Sequence, residues 1–271
     1  MPPKRKAPTK RAVQKTKAPI TTLLYGPSGN GKTSFAAQFP KPGFICDSQE
    51  RGIDFLCRAK LCPDPVWSET IDADAASSWD KLLKRIWDAA LDRSIQTLVL
   101  ESITGIENIC FIYHCREHFN NDHSREGFYN RWQGPKNAAR FDWPKLISAL
   151  DAVHQNGKNV VVTAHCQVKE ESDPRGVNVI KYVPYCEKDT WARLHRWASS
   201  VFFLGQILEV DTSKQGLRKV AKQDFDRVIY TEGTPYCVAK NWYGLHGNIP
   251  LGSSPQEGYA NFKKRMNDWN V

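Results

Sequence analysis

Apolar and polar positions along the chain mark out strands and helices in alternation. Ile20 to Tyr25 is a short β-branched and apolar run that reads as a strand. "GFICD", residues 43–47, is a second, opened by the turn signal Pro40-Lys41-Pro42-Gly43. "IQTLVLES" (95–102) and "NVVVTAH" (159–165) are continuous apolar runs closed by polar residues, as expected of strands buried on both faces. A helical stretch over 187–199 leads into the strand "SVFFLGQI", and "RVIYTEG" and "YCVAKNW" read as a hairpin-like pair.

Helical spacing fills the intervals. From Trp79 the stripe is Leu82, Leu83, Ile86, Trp87, Ala90 and Leu91, with Ser78 as a cap and Asp80 in the first turn. A second helix starts at Asp142 with Pro144 near its first turn; its stripe is Trp143, Leu146, Ile147, Leu150 and Val153, and Gly157 ends it. Tyr259, Phe262, Met266 and Trp269 space a terminal amphipathic helix. The alternation from 20 to 205 predicts βαβ units, hence an α/β fold with a mostly parallel sheet. Ligands of such sheets sit beyond the carboxyl ends of the strands, where Glu101 and His165 fall.

The strongest chemistry lies between the first strand and the helix-like "KTSFAAQF". "GPSGNGKTS" comprises Gly26, Pro27, Ser28, Gly29, Asn30, Gly31, Lys32, Thr33 and Ser34, and matches the phosphate-binding pattern G-x-x-x-x-G-K-[ST]. Its glycines let successive N–H groups point at phosphate oxygens, and the following helix adds its positive end. Lys32 would reach the β- and γ-phosphates of ATP, and the Thr33 hydroxyl would bind Mg2+. The acidic residue that holds the metal side is expected at the end of a neighbouring strand. Glu101 is that candidate, one methylene longer than the usual Asp, and an ordinary polar strand end is the plainer alternative. For the group that orients water, "ICDSQERG" supplies Asp47, Gln49 and Glu50. His165 could sense or contact the γ-phosphate.

Composition adds bounds. The 271 residues are 41% hydrophobic with nine tryptophans, ample for a packed core of one large or two small domains. No apolar run approaches the ~18 residues of a membrane span, and the basic N-terminus lacks a following apolar segment, so no secretory signal is expected. A soluble, cytosolic protein is expected. Of the net charge of +9, residues 1–19 carry seven cations and no acid, leaving +2 for the remainder. This Pro-rich stretch is expected to be a disordered basic tail. It would serve to grip phosphate backbones, or as a solubilising leader or nuclear address.

Eight cysteines without a secretory context imply free thiols rather than a disulfide framework. The densest group is "CFIYHCREHFNNDH", with Cys110, His114, Cys115, His118 and His123. Cys110, His114 and His118 would share one helix face, which offers a zinc site or simply a helix rich in Cys and His. No C-x-x-C knuckle accompanies them.

Taken in order, "TTLLYGPSGNGKTSFAAQFPKPGFICDSQERG", "LVLESITGIEN", "VVVTAHCQVKE" and "RVIYTEGTPYCVAKNWYGL" resemble the RecA-like ATPases. More narrowly, they resemble the phage nucleotide-binding proteins that include single-strand-annealing recombinases. The resemblance implies a three-layer RecA-like P-loop core over about 20–250, a C-terminal helical extension over 251–271, and assembly as a homo-oligomer on single-stranded DNA. It assigns Lys32 and Thr33 to ATP and Mg2+, Glu101 to the metal-side acid and His165 to the γ-phosphate sensor. The family's catalytic glutamate follows the second strand in a D-x-E pattern. Here the acid sits one place late, so either Glu50 fills the role or Gln49 occupies the slot and hydrolysis is weak; Glu50 is preferred. Lys240 matches a basic residue that contacts a neighbour's nucleotide.

A DNA-contacting loop is implied over "CQVKEESDPRGVNVIKY", although its charge is balanced. "SREGFYNRWQGPKNAAR", with Arg125, Arg131, Lys136 and Arg140 among Phe128, Tyr129 and Trp132, offers a better surface of charge and stacking. Its alternative is a loop whose aromatics tuck into the core. Two other functions compete: a binding module in which nucleotide only switches conformation, and a small-molecule P-loop kinase, which would want an arginine-rich lid.

Overall fold

A computed structural model describes residues 19–72, 77–172, 176, 178–207 and 227–268. The expected basic tail, apart from its last residue, and Trp269 lie outside the described residues.

Eleven strands and eight α-helices follow one another among the described residues. The first half runs β1 (Thr21–Tyr25), α1 (Lys32–Ala36), β2 (Pro42–Asp47), α2 (Gly52–Arg58), β3 (Trp67–Ile71), α3 (Ser78–Leu91), β4 (Thr97–Glu101) and α4 (Ile103–Phe119). After a 3-10 turn at Asn130–Trp132 come α5 (Gln133–Asn137), a π-helical turn at Ala138–Asp142, α6 (Trp143–Gln155), β5 (Asn159–Ala164), β6 (Cys166–Ser172) and β7 (Asn178–Pro184). The chain closes with α7 (Lys188–Trp197), β8 (Ser200–Gln206), β9 (Arg227–Tyr230), β10 (Lys240–Asn241), β11 (Asn248–Pro250) and α8 (Pro255–Asp268).

The main sheet has the order β11-β9-β8-β1-β5-β4-β2-β3, with β10 also paired to β8. The six strands from β8 to β3 are parallel, and β9, β10 and β11 join antiparallel. Period-two alternation divides each central strand between two cores. Leu23, Tyr25, Leu98, Leu100, Val160 and Val162 face α3, α4, α6 and α7. Leu24, Phe44, Val99, Val161 and Phe202 face α1, α2 and α8. Helices on both faces of a mostly parallel sheet make the three-layer α/β fold of a RecA-like P-loop protein.

The predicted helical stripes meet each other, although Trp87 and Leu91 of the first face solvent. Trp79 of α3 stacks on Trp143 of α6, with ring centroids 6.4 Å apart and 13° between planes. On the opposite face, Tyr259 and Phe262 of α8 pack on Phe35 at 5.9 and 5.5 Å. A fully buried side chain such as Phe35 or Phe262 contributes roughly 1.5–3 kcal/mol.

Three local expectations are corrected. "RVIYTEG" and "YCVAKNW" do not pair with each other: β9 and β10 each pair with β8, at Phe203–Gln206 and Ser200–Val201 respectively. The stretch after His165 is not an open loop but an antiparallel hairpin, β6–β7, paired from Cys166↔Pro184 to Ser172↔Asn178. Its Arg175 lies outside the described residues. Ser78 is the first residue of α3 rather than its cap, and its hydroxyl donates to the Asp72 carbonyl.

Candidate nucleotide-binding site

Strand order brings distant residues to one edge. β5 lies between β1 and β4, and β2 lies beyond β4. The ends of these strands therefore line up the glycine loop, His165, Glu101 and the segment 47–50.

Gly26 leaves β1 where the chain passes close under β8. A Cβ there would lie 2.2 Å from the Leu204 carbonyl oxygen, which only glycine avoids. Asn30 ties the loop to the same strand, its Nδ2 donating to Leu204 O at 3.0 Å. Gly29 and Gly31 adopt left-handed φ values of 83° and 89°, turning the chain into α1. Ser28 and Gly29 are exposed at the loop's crest, and Ser34 is half-buried in α1. Because α1 spans only Lys32–Ala36, its dipole is weaker than expected of a long helix. The cradle rests on loop N–H groups and on Lys32.

Lys32 is buried, and its ammonium donates to the carbonyls of Gly26 (2.8 Å) and Pro27 (3.1 Å). Burial lowers its pKa, with Glu101, Cys166 and Glu50 opposing. The Thr33 hydroxyl donates to Glu101 Oε1 at 2.5 Å. Glu101 is 3% exposed, and burial pushes its carboxyl up to about 7 despite the Thr33 bond. Its Oε2 is buried and meets no hydrogen-bond donor among the described residues. A hydroxyl and an underused buried carboxylate oxygen side by side are the hard donor set that suits Mg2+. The residues present fit that ion.

Of the acids after β2, Asp47 is committed to structure. Its Oδ1 accepts from Gln49 N at 2.8 Å and its Oδ2 from Ser102 N at 3.4 Å, and the carboxylate packs against Gly105 of α4. Gln49 is exposed. Glu50 turns inward and meets His165 Nε2 through Oε1 at 2.5 Å. The hydrogen bond lowers the Glu50 pKa and raises that of His165. His165 thus faces an acid on the far side of β4. Lys240 is half-buried, its ammonium donating to the His195 carbonyl and lying 5.1 Å from the Trp242 ring centroid.

Two cavities lie along this edge of the sheet. One, of about 410 Å³, opens beside Pro27 and Asn30 and is walled by Tyr182, Phe203, Tyr230 and Tyr236. Tyr182 and Phe203 stack at 5.2 Å, and Tyr230 meets Tyr236 edge-on at 5.9 Å. The other, of about 610 Å³, lies beyond Glu50 and His165; Asp47, Glu107 and Glu187 outnumber Lys169 on its walls. The aromatic cavity was not foreseen, since β7, β8, β9 and the turn before β10 each supply one wall. Arg227, at the start of β9, was also missed. Its Nη1 lies 3.6 Å from where a Gly31 Cβ would stand, and no local pattern links positions so far apart in sequence.

The insertion after α4 divides between the two expectations for it. Phe128 is fully buried and Tyr129 packs on it at 4.9 Å, whereas Trp132 is 52% and Phe141 57% exposed. Arg131 and Trp132 both adopt left-handed φ, 46° and 62°.

A phosphate-binding loop after β1, with acids at the ends of β2 and β4 in a sheet of this order, defines a P-loop nucleotide-binding protein of the RecA-like class. The chain matches the AAA domain family over residues 18–243 and belongs to it. Among solved structures, a KaiC-like protein from the hyperthermophilic archaeon Pyrococcus horikoshii OT3 is similar at 15% identity and a TM-score of 0.46, over 88% of this chain and 87% of that one. No curated protein matches the sequence. No helix among the described residues is long and apolar enough to cross a membrane.

Proposed function

We propose that the protein binds ATP with Mg2+ and hydrolyses it slowly, coupled to single-stranded DNA, as in phage-type recombination or annealing. The observation that carries the nucleotide reading is the Lys32–Thr33–Glu101 constellation at the glycine loop, with the Glu50–His165 pair across β4. Lys32, now bonded to its own loop carbonyls, exchanges them for phosphate oxygens. Thr33 and Glu101 would hold Mg2+, which when bound would neutralise charge on the phosphates. Glu50 orients the attacking water and takes its proton. The aromatic cavity beside Pro27 takes the base, with Arg227 next to the loop as a cation from the same chain.

The same geometry favours a second reading. His165 donates to Glu50 and lowers its basicity, so nucleotide binding without turnover persists until that pair opens. In this state the protein acts as a nucleotide-switched binding module. The DNA reading is supported by exposed Trp132 and Phe141 beside Arg131 and Arg140, an aromatic and cationic surface. The cavity beyond Glu50 is carboxylate-rich and suits phosphate backbone poorly. A homo-oligomer with Lys240 reaching a neighbour's nucleotide requires the His195 bond to open.

The test is ATP binding and turnover of the wild type and Lys32→Ala, each with and without single-stranded DNA. Lys32→Ala is expected to lose both, and DNA to raise wild-type turnover. Tight binding with negligible turnover under every condition establishes the switch. Unchanged binding in Lys32→Ala overturns the nucleotide reading.

A further inference from the structure

Away from the glycine loop, His114 and His118 stand one turn apart on α4, with ring centroids 4.4 Å apart. Residues at this spacing share a helix face. A third group comes from elsewhere in the chain. The π-helical turn at Ala138–Asp142 delivers the Asp142 carboxylate to them, its Oδ2 2.5 Å from His114 Nδ1. One ligating atom from each of the three residues lies within 4.8 Å of the others. We propose that His114, His118 and Asp142 form a binding site for a zinc-class transition-metal ion that fastens α4 to the turn opening α6.

Two imidazoles and one carboxylate suit Zn2+, or Co2+ as its spectroscopic substitute, better than Mg2+ or Ca2+. Three protein donors leave one tetrahedral position for water. Burial is graded across the cluster: His114 and Asp142 are each 3% exposed in the side chain, whereas His118 is exposed. The ion enters from solvent past His118. Lys145 donates to the other Asp142 oxygen at 2.7 Å, which leaves Oδ2 to the metal. The donors converge to the ~2 Å bond lengths of zinc by side-chain rotation.

The ligand set differs from the one the helix pattern suggested. Cys110 shares the face in sequence but is buried in the sheet-side core and is not part of the cluster. His123 is exposed and bonds Asn121. What the site would hold is the insertion that carries Trp132: Phe128 packs at 6.4 Å from His114 and 5.6 Å from Phe119. The competing account is a plain buried His114–Asp142 ion pair with His118 as a bystander.

His118 separates the two accounts, because its exposure makes substitution harmless to folding. The full chain, stripped with chelator and kept in excess Mg2+, is titrated with Zn2+ by calorimetry and with Co2+ by visible absorption, and melted with and without Zn2+. Cys57 and Cys62, whose sulfurs lie 3.6 Å apart, are a rival thiol site; a double Cys57→Ser, Cys62→Ser variant controls for it. The expected result is one Zn2+ per chain, a raised Tm, and a tetrahedral Co2+ spectrum without thiolate charge transfer. His118→Ala should keep the metal-free Tm and weaken Zn2+ binding by about 100-fold or more. Equal Zn2+ affinity in His118→Ala, or binding lost only in the double serine variant, overturns the site.

Discussion

Glu101 carries two opposed demands. It must sit deep at the end of β4 to reach Thr33, yet burial there resists its charge and raises its carboxyl to about 7. Part of that cost is offset by the Thr33 hydroxyl; the unsatisfied Oε2 is the remainder. The sign follows from the raised pKa. The folded state holds the proton more tightly than the unfolded chain, so stability is fullest below the ordinary glutamate range and declines as pH rises through about 7. The displacement corresponds to roughly 3 kcal/mol at its limit. Glu101→Gln is therefore expected to melt higher than the wild type at pH 8 in the absence of divalent ions, with the gap closing near pH 5. The same variant should lose Mg2+-dependent nucleotide affinity. Thermal melts across pH, with and without Mg2+, check both halves; a gap that does not vary with pH refutes the assignment of the proton to Glu101.

At the scale of elements, the loop keeps its shape because β8 runs over Gly26. The Leu204 carbonyl is backbone in a strand paired on both sides, so it cannot give way to a methyl group. Gly26→Ala is expected to cost about 1–3 kcal/mol in urea unfolding and to weaken nucleotide binding as the loop shifts. Wild-type stability in that variant would show that β8 yields. The periodic elements were legible because burial patterns them: the stripes from Trp79 and Trp143 meet in one layer, and the runs at 95–102 and 159–165 are adjacent inner strands buried on both faces. The short edge pieces were not. β10 is two residues long, and β9 and β10 pair with successive stretches of β8, so local pattern gave no way to choose the partner. The hairpin β6–β7 is mostly exposed, with Val168 and Ile180 outward, and lacks the one-sided burial that makes alternation readable. At the site, the glycine loop was fully legible from local residues. The Glu50–His165 pairing, Arg227 and the approach of Asp142 to His114 depend on strand order and a π-helical turn that spacing does not encode.

Over the whole molecule, the densest run of cations and the exposed aromatics of the insertion lie far apart in the chain. Seven of the cations that make the net charge +9 lie within residues 1–18, outside the described residues, whereas the exposed Trp132 and Phe141 lie in the insertion before α6. The two regions would act on single-stranded DNA by different physics. Neutralising backbone phosphates releases counterions, giving a salt slope of about −0.7 per contact on single strands. Stacking a base on Trp132 contributes about 1–3 kcal/mol and is far less salt-dependent. Removing residues 1–18 is thus expected to flatten the dependence of DNA affinity on salt, while Trp132→Ala lowers affinity at every salt concentration and leaves the slope unchanged. Fluorescence anisotropy with a labelled oligonucleotide, over a series of salt concentrations, separates them. If the truncated chain keeps the full slope, the cations that hold DNA belong to the folded body, and the Arg131–Arg140 surface is the place to look. If Trp132→Ala changes neither affinity nor slope, the insertion is not a stacking platform and the proposed DNA surface fails there.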